Sequence, residues 1–217
     1  MAVAMNTELL ALRDAGCKVM QIEEPTLHFM ADKFPDGKET VKFMVKALNR
    51  EIEGLEDVEV WLHTCWGNPN MQRVMEDNSY RNSIELYLEE VKGDVWTIEC
   101  KDNCQQDVPL FEPLKHDLRK KIALGAVSHR SQQADRPEEV AAEIRKAMKY
   151  ISPEKLIVSS DCGFGRQGCN REIAFYKAAS IAQGCNIVPK ELGLPTTYVP
   201  ASDPALHMDI VPNIKKK

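Results

Sequence analysis

Short runs of β-branched and other apolar residues recur along the chain at a spacing that indicates alternating strands and helices. Five runs have strand character, and their starts lie 27 to 40 residues apart. That spacing is the length of a strand with its returning helix. We predict strands at Lys18–Glu23, Val58–His63, Val95–Glu99, Ile122–Val127 and Leu156–Ser160.

Apolar residues at three- and four-residue steps predict helices before and between the strands. Pro137 suits the first turn of the helix that follows the fourth strand. Gly16 and Gly184 are expected to end the first and the last helix. The predicted helices are Asn6–Ala15, Glu39–Glu53, Arg136–Tyr150 and Arg171–Gly184.

This order of elements predicts an α/β fold with a parallel sheet, either open or closed as an eight-stranded barrel. Gly163, Gly165 and Gly168 have GxGxxG spacing, but Asp161 and Cys162 separate them from the strand. No acidic residue ends a strand about 20 residues later, so a dinucleotide-binding fold is disfavoured. Five strands cannot close a barrel of eight. Because the chain opens with a helix, we expect the missing part on the N-terminal side.

Composition and charge exclude several functional classes. The 217 residues include 28 basic and 33 acidic side chains, for a net charge of −5, and the basic residues are scattered, which disfavours nucleic-acid binding. No apolar run reaches the roughly 18 residues that a membrane helix needs. Glu8, Arg13 and Asp14 interrupt the segment where a signal peptide would be apolar. We therefore expect a cytoplasmic protein without a membrane partner, whose seven cysteines are reduced.

Candidate metal ligands follow the predicted strands, at the edge where parallel α/β proteins collect their chemistry. His63 and Cys65 are two positions apart, so on extended backbone they point to the same side. With Glu99 and Cys162 at two further strand ends, the set offers donors that zinc accepts. An HxC pair also arises by chance, and cysteine is a common core residue. The strand-end position of all four residues nevertheless favours a zinc site.

The other cysteines and histidines are assigned no role. Cys100 and Cys104 could be mistaken for a ligand pair, but Cys100 follows Glu99 and points to the opposite face of an extended strand. The cysteines interpreted as structural or incidental are Cys17, Cys100, Cys104, Cys169 and Cys185. The histidines expected to be solvated, in loops or beside helices, are His28, His116 and His207.

Five segments together resemble a known enzyme family. They are QIEEP (Gln21–Pro25), HTCWGNPN (His63–Asn70), TIEC (Thr97–Cys100), SHRS (Ser128–Ser131) and SSDCGFGRQG (Ser159–Gly168). In this order they resemble the C-terminal catalytic domain of cobalamin-independent methionine synthases and single-domain relatives, which include the epoxyalkane:coenzyme M transferases. The resemblance runs from residue 6 to about residue 195. It implies a (βα)8 barrel and a zinc ion held by His63, Cys65, Glu99 and Cys162.

The resemblance also implies a reaction, the transfer of a methyl or alkyl group to a small thiol. Zinc would convert the thiol, homocysteine or a coenzyme M-like compound, into the thiolate nucleophile. The donor would be a methylated folate or an epoxide. Glu23 stands where the family usually has an aspartate that holds the amino group of homocysteine. The family's proton-donating histidine aligns with Arg130, and we take the neighbouring His129 as the candidate acid.

Departures from the family leave alternatives open. HTCWGNPN, SHRS and CGFGRQG are closer to the coenzyme M transferase-like branch, which favours an alkyltransferase as one alternative. The family's first three strands have no counterpart, so we predict the last five βα units of a barrel at 1–195, followed by a tail at 196–217. The other alternative is a catalytically incomplete half-barrel, a fragment or a subunit of a split enzyme. An open edge at Lys18–Glu23 would favour self-association or a partner that supplies the missing strands.

Overall fold

One sheet of five parallel strands organises the part of the chain that the structure describes. The computed structural model describes residues 1–34, 36–67, 72, 78–165 and 168–203. Within these ranges the strands lie side by side in chain order. They are β1 (Val19–Glu23), β2 (Glu59–Thr64), β3 (Val95–Ile98), β4 (Lys121–Val127) and β5 (Leu156–Ser160). The predicted α/β class and its five strands are confirmed, whereas the absence of three further units stays a prediction.

Five α-helices precede, connect or follow the strands in the described ranges. They are α1 (Ala2–Asp14), α2 (Thr26–Lys33), α3 (Lys38–Glu51), α4 (Pro137–Ala147) and α5 (Arg171–Glu191). Short 3-10 turns lie at Tyr80–Asn82, Lys101–Asn103, Val108–Leu114, Pro153–Lys155 and Pro200–Ser202, and a π turn lies at Leu86–Glu90. No helix of the described chain is both long enough and apolar enough to cross a membrane.

Two features of the helices differ from the prediction. Helix α2 was not predicted, because it is short and its sequence offers no apolar repeat of helical length. Gly184 does not end the last helix but lies buried inside α5. A Cβ atom at Gly184 would lie 2.6 Å from the Cβ of Val140 on α4, so this glycine serves the close packing of two helices.

The two faces of the sheet have different roles. Side chains of one face pack under the helices in the main hydrophobic core, including Val60, Leu62, Trp96, Ile98, Ile122 and Leu124. The alternate positions lie on the other face, since successive side chains of a strand point to opposite sides. There Glu23 of β1 is in register with His63 of β2, and His63 is in register with Thr97 of β3. The carboxyl ends of β1, β2 and β3 therefore lie level with one another.

Candidate metal centre

Three predicted ligands meet at the carboxyl edge of the sheet. His63 lies near the end of β2, Cys65 follows that strand, and Cys162 follows β5. Their donor atoms lie within 4.8 Å of one another, and the Nε2 of His63 is 3.6 Å from the Sγ of Cys162. All three side chains are buried, with 3 to 7% of each residue exposed. One imidazole and two sulfurs at this spacing are a donor set that suits zinc.

The protonation of this cluster favours a thiolate. A hydrogen bond from the Cys162 thiol, assisted by one from His63, lowers the pKa of Cys65 to about 4 against the opposing effect of burial. The same bond raises the pKa of Cys162, since its proton is shared with the Cys65 sulfur. Burial acts to lower the pKa of His63, but Cys65 and the charge of Glu23 together raise it. The shared proton therefore favours a thiolate on Cys65, whose negative charge would attract a divalent cation.

Glu99 lies beside these three residues but is held by other partners. It follows β3 and is 3% exposed, and its Oε2 accepts a hydrogen bond of 2.8 Å from the backbone N–H of Trp66. Arg130 forms an ion pair with Glu99 and donates to Asp102 at 2.9 Å. Burial raises the pKa of Glu99, and Arg130 opposes that effect.

Among the described residues, the structure therefore divides the four predicted ligands into a set of three and Glu99. The carboxylate of Glu99 groups with Asp102 and His129 instead of with the imidazole and the sulfurs. The ligation of a metal by any of the four residues stays a prediction.

The two remaining predicted site residues flank this cluster. Glu23 is largely exposed, its Oε2 lies 3.7 Å from the Nε2 of His63, and its Oε1 accepts a hydrogen bond from Gln21. His129 is buried, with its Nδ1 3.7 Å from the Oδ2 of Asp102. Some predicted features lie outside the described residues. They are the parts of the family-like segments at 68–70 and 166–167, His207, and the tail beyond residue 203.

Comparison with known proteins decides the family. A sequence profile described as "Cobalamin-independent synthase, Catalytic domain" matches residues 1–182. The chain belongs to the cobalamin-independent synthase family. The resemblance seen in the five sequence segments is thereby confirmed at the level of the family.

Individual relatives agree with this assignment. Over 88% of its length the chain is 31% identical to a methionine synthase of Saccharolobus solfataricus, of which it covers 51%. Over the same share it is 30% identical to a methionine synthase of Sulfurisphaera tokodaii, of which it covers 49%. A solved B12-independent methionine synthase from Shewanella sp. W3-18-1, in complex with selenomethionine, is 26% identical with a TM-score of 0.72, over 88% of this chain and 54% of that one. The chain spans about half the length of the curated relatives it matches.

Two buried ionisable residues near the site of this family member were not predicted. The carboxylate of Asp161, directly before Cys162, accepts three backbone hydrogen bonds from residues 100–102. Lys177 on α5 is fully buried, and its Nζ donates to Ser128, Gln133 and Asp135. Asp161 could have been found from its place in the DCG motif. Lys177 has no such sequence signal, because a lysine on a helix is usually solvated.

His28 contradicts the prediction of a solvated histidine. It is fully buried on α2, stacked on Phe29 at 4.6 Å and edge-on to Trp66 at 4.5 Å between ring centroids. Burial lowers the pKa of His28 to about 3, so the ring is neutral at physiological pH. The prediction was wrong because α2, which covers this end of the sheet, was itself not predicted.

Proposed function

We propose that this chain binds zinc and activates a small thiol to accept a methyl group, as part of methionine synthesis. The observation that carries the proposal is the meeting of His63, Cys65 and Cys162 within 4.8 Å at the carboxyl edge of the sheet. Relatives named methionine synthase support the class of reaction. Because the chain spans about half of those relatives, the full reaction and its substrates belong to the proposal.

The residues present fit a zinc ion in chemistry and in environment. Sulfur and imidazole donors are typical of zinc sites, and the lowered pKa of Cys65 favours the thiolate, the form in which cysteine binds zinc. Glu99 is the proposed fourth ligand. It follows β3, the strand beside β2 in the sheet, and Arg130 is its present partner. Bound zinc would supply Lewis acidity that keeps a thiol substrate in its thiolate form at neutral pH.

The remaining site residues have proposed roles toward homocysteine and a methylated folate. Glu23 would hold the amino group of the thiol substrate, since its carboxylate is exposed and lies 3.7 Å from the His63 ring. His129 would protonate the leaving amine of the donor, with the nearby carboxylate of Asp102 as the counter-charge of a protonated ring. A coenzyme M-like thiol with an epoxide donor is the alternative pair of substrates.

Metal analysis of sulfur variants tests the proposed ligands. The purified protein should contain about one zinc per chain, and Cys65→Ser and Cys162→Ser should lose most of it. Cys104→Ser is the matched control, because Cys104 is an exposed cysteine on the loop after β3. Equal zinc in all four proteins, or equal loss in all three variants, would contradict the ligand set.

Cobalt substitution tests whether the metal activates a thiol. Homocysteine added to the Co²⁺ protein should produce a sulfur-to-cobalt charge-transfer band and release about one proton per site at neutral pH. Coenzyme M in a parallel titration distinguishes the alternative acceptor. A spectrum that moves with neither compound, nor with a generic thiol, would mean that the metal is structural and would refute the transferase proposal.

The proposal includes a cytoplasmic location. It also includes association, either with a second copy of the chain or with a partner that supplies further strands. The edge positions of β1 and β5 in the described sheet support association, because edge strands carry backbone groups with which a further strand could pair.

A further inference from the structure

One carboxylate links two strand ends that are not neighbours in the sheet. Asp161 and Cys162 follow β5, whereas Glu99 and residues 100–102 follow β3, and β4 lies between the two strands. A contact between the ends of β3 and β5 therefore has to reach across β4.

The side chain of Asp161 makes this contact with three hydrogen bonds. Its Oδ1 accepts from the backbone N–H groups of Cys100 at 2.7 Å and Lys101 at 2.8 Å, and its Oδ2 accepts from that of Asp102 at 2.9 Å. Asp161 is fully buried. Three backbone donors around one buried carboxylate constrain the direction of the segment that carries them, because each bond has its own angular requirement.

Gly125 makes room for the contact. It lies on β4, and a Cβ atom built there would lie 2.0 Å from the Oδ1 of Asp161 and 2.9 Å from the carbonyl oxygen of Ile98. Any other residue at position 125 would have to displace the carboxylate or the backbone. The strand is irregular just beyond, where the pairing of β4 with β5 shifts register between Gly125 and Val127. A glycine and an irregularity at this place indicate that β4 accommodates the side chain of Asp161.

We infer that Asp161 is a positioning residue, which fixes Glu99 and Asp102 relative to Cys162 by holding residues 100–102 across Gly125. Glu99 directly precedes the held segment, and Asp102 ends it while accepting from Arg130. The inference rests on the proposed function in one respect, namely that Glu99 and Cys162 serve the same metal. The carboxylate of Asp161 would then keep the distance between Glu99 and Cys162 fixed.

Hydrogen exchange of the metal-free protein tests the holding of the segment. In the wild-type protein the amides of Cys100, Lys101 and Asp102 should be as protected as those inside β3, although they lie outside any strand. Asp161→Asn should accelerate their exchange at least tenfold and leave the amides of β2 at their wild-type level. Asp94→Asn is the matched control, because Asp94 also accepts a backbone hydrogen bond, from Val60 at the amino end of β2; it should accelerate the exchange of Val60 and leave residues 100–102 protected. Unprotected wild-type amides, or an equal acceleration across the sheet, would overturn the inference.

A double-variant cycle tests the link to the metal. Zinc affinity is measured by competition with a chromophoric chelator in the wild type, Asp161→Asn, Glu99→Gln and the double variant. Asp161→Asn should weaken binding about 10- to 100-fold, and the double variant should bind no more weakly than Glu99→Gln alone. Gly125→Ala should reproduce the effect of Asp161→Asn. Unchanged affinity in Asp161→Asn, or additive losses, would overturn the inference.

The two experiments separate this inference from the proposed function. A wild-type protein that binds no zinc would refute the proposed function, while amide exchange in the metal-free protein would still decide whether Asp161 holds residues 100–102.

Discussion

The buried Lys177 offers a sharp test of how α5 supports the site. Its Nζ lies 3.0 Å from the carbonyl oxygen of Ser128, 2.6 Å from that of Gln133 and 3.2 Å from the Oδ2 of Asp135. These three bonds use all three donors of the ammonium group. These bonds hold the segment 128–135, which contains His129 and Arg130. We therefore predict that Lys177→Met destabilises the fold and makes this segment more mobile.

The magnitude follows from what the substitution leaves behind. Methionine fills a similar volume, so little packing is lost, but two carbonyl groups lose a charged donor at about 1 to 3 kcal/mol each. The carboxylate of Asp135, which is 11% exposed, also loses a counter-charge. Relief from burying an ammonium group offsets part of this cost. The expected net loss is about 3 to 5 kcal/mol, as for other buried ion pairs from which one partner is removed.

Urea unfolding with hydrogen exchange measures both effects. Lys101→Met is the control, since Lys101 pairs with Glu143 and lies 4.0 Å from the same Asp135 but is partly exposed, so its removal should cost about 1 kcal/mol or less. Exchange in the segment 128–135 should accelerate in Lys177→Met beyond the change in global stability. A loss below 1 kcal/mol in Lys177→Met, with unchanged exchange in that segment, would refute the reasoning.

Three further predictions concern the pH dependence of stability, the packing of two helices and methyl transfer by the isolated chain. Burial lowers the pKa of Lys120 to about 8 from 10.5, so the folded protein loses this proton at a lower pH than the unfolded chain does. The free energy of unfolding of the wild type, relative to that of Lys120→Met, should therefore rise by up to about 3 kcal/mol between pH 8 and pH 10.5. A difference that does not change with pH would contradict this prediction. Gly184→Ala should lower the melting temperature, because a contact of 2.6 Å with Val140 costs more than the helix propensity of alanine gains, and a raised melting temperature would show that the two helices separate freely. The isolated chain should bind zinc and thiol yet transfer little methyl from methylated folate to homocysteine, because the donor and the thiolate must be held within about 3 to 3.5 Å of each other. Methyl transfer should recover when three further βα units are co-expressed. Substantial turnover by the chain alone would contradict this prediction.

The strands were predictable because the sequence encodes them locally. All five form within one residue of the predicted bounds, since buried parallel strands consist of β-branched and apolar runs that few other structures favour. Helix ends were less predictable. Gly184 would end a helix by its local preference, but its lack of a side chain is used by a neighbouring helix that is distant in sequence.

The candidate site was predictable where strand geometry alone decides it. His63 and Cys65 come together because alternate residues of a strand share a face, and Cys162 joins them because parallel strand ends share an edge. The partners of Glu99 were not predictable. They depend on how the loops after β2 and β4 bring Trp66 and Arg130 beside the end of β3, which no periodicity in the sequence encodes.

The strand order of the sheet has a consequence for the way the protein is built during synthesis. Because spatial neighbours are also chain neighbours, each strand pairing closes a short loop; Val19, for example, pairs with Glu59, 40 positions later. The sheet can therefore grow strand by strand as the chain leaves the ribosome. His63 and Cys162, by contrast, are 99 positions apart and meet only when β5 has docked. Four of the five described strands can thus pair before the donor set assembles, so metal capture through these residues would follow the docking of β5 instead of starting the growth of the sheet.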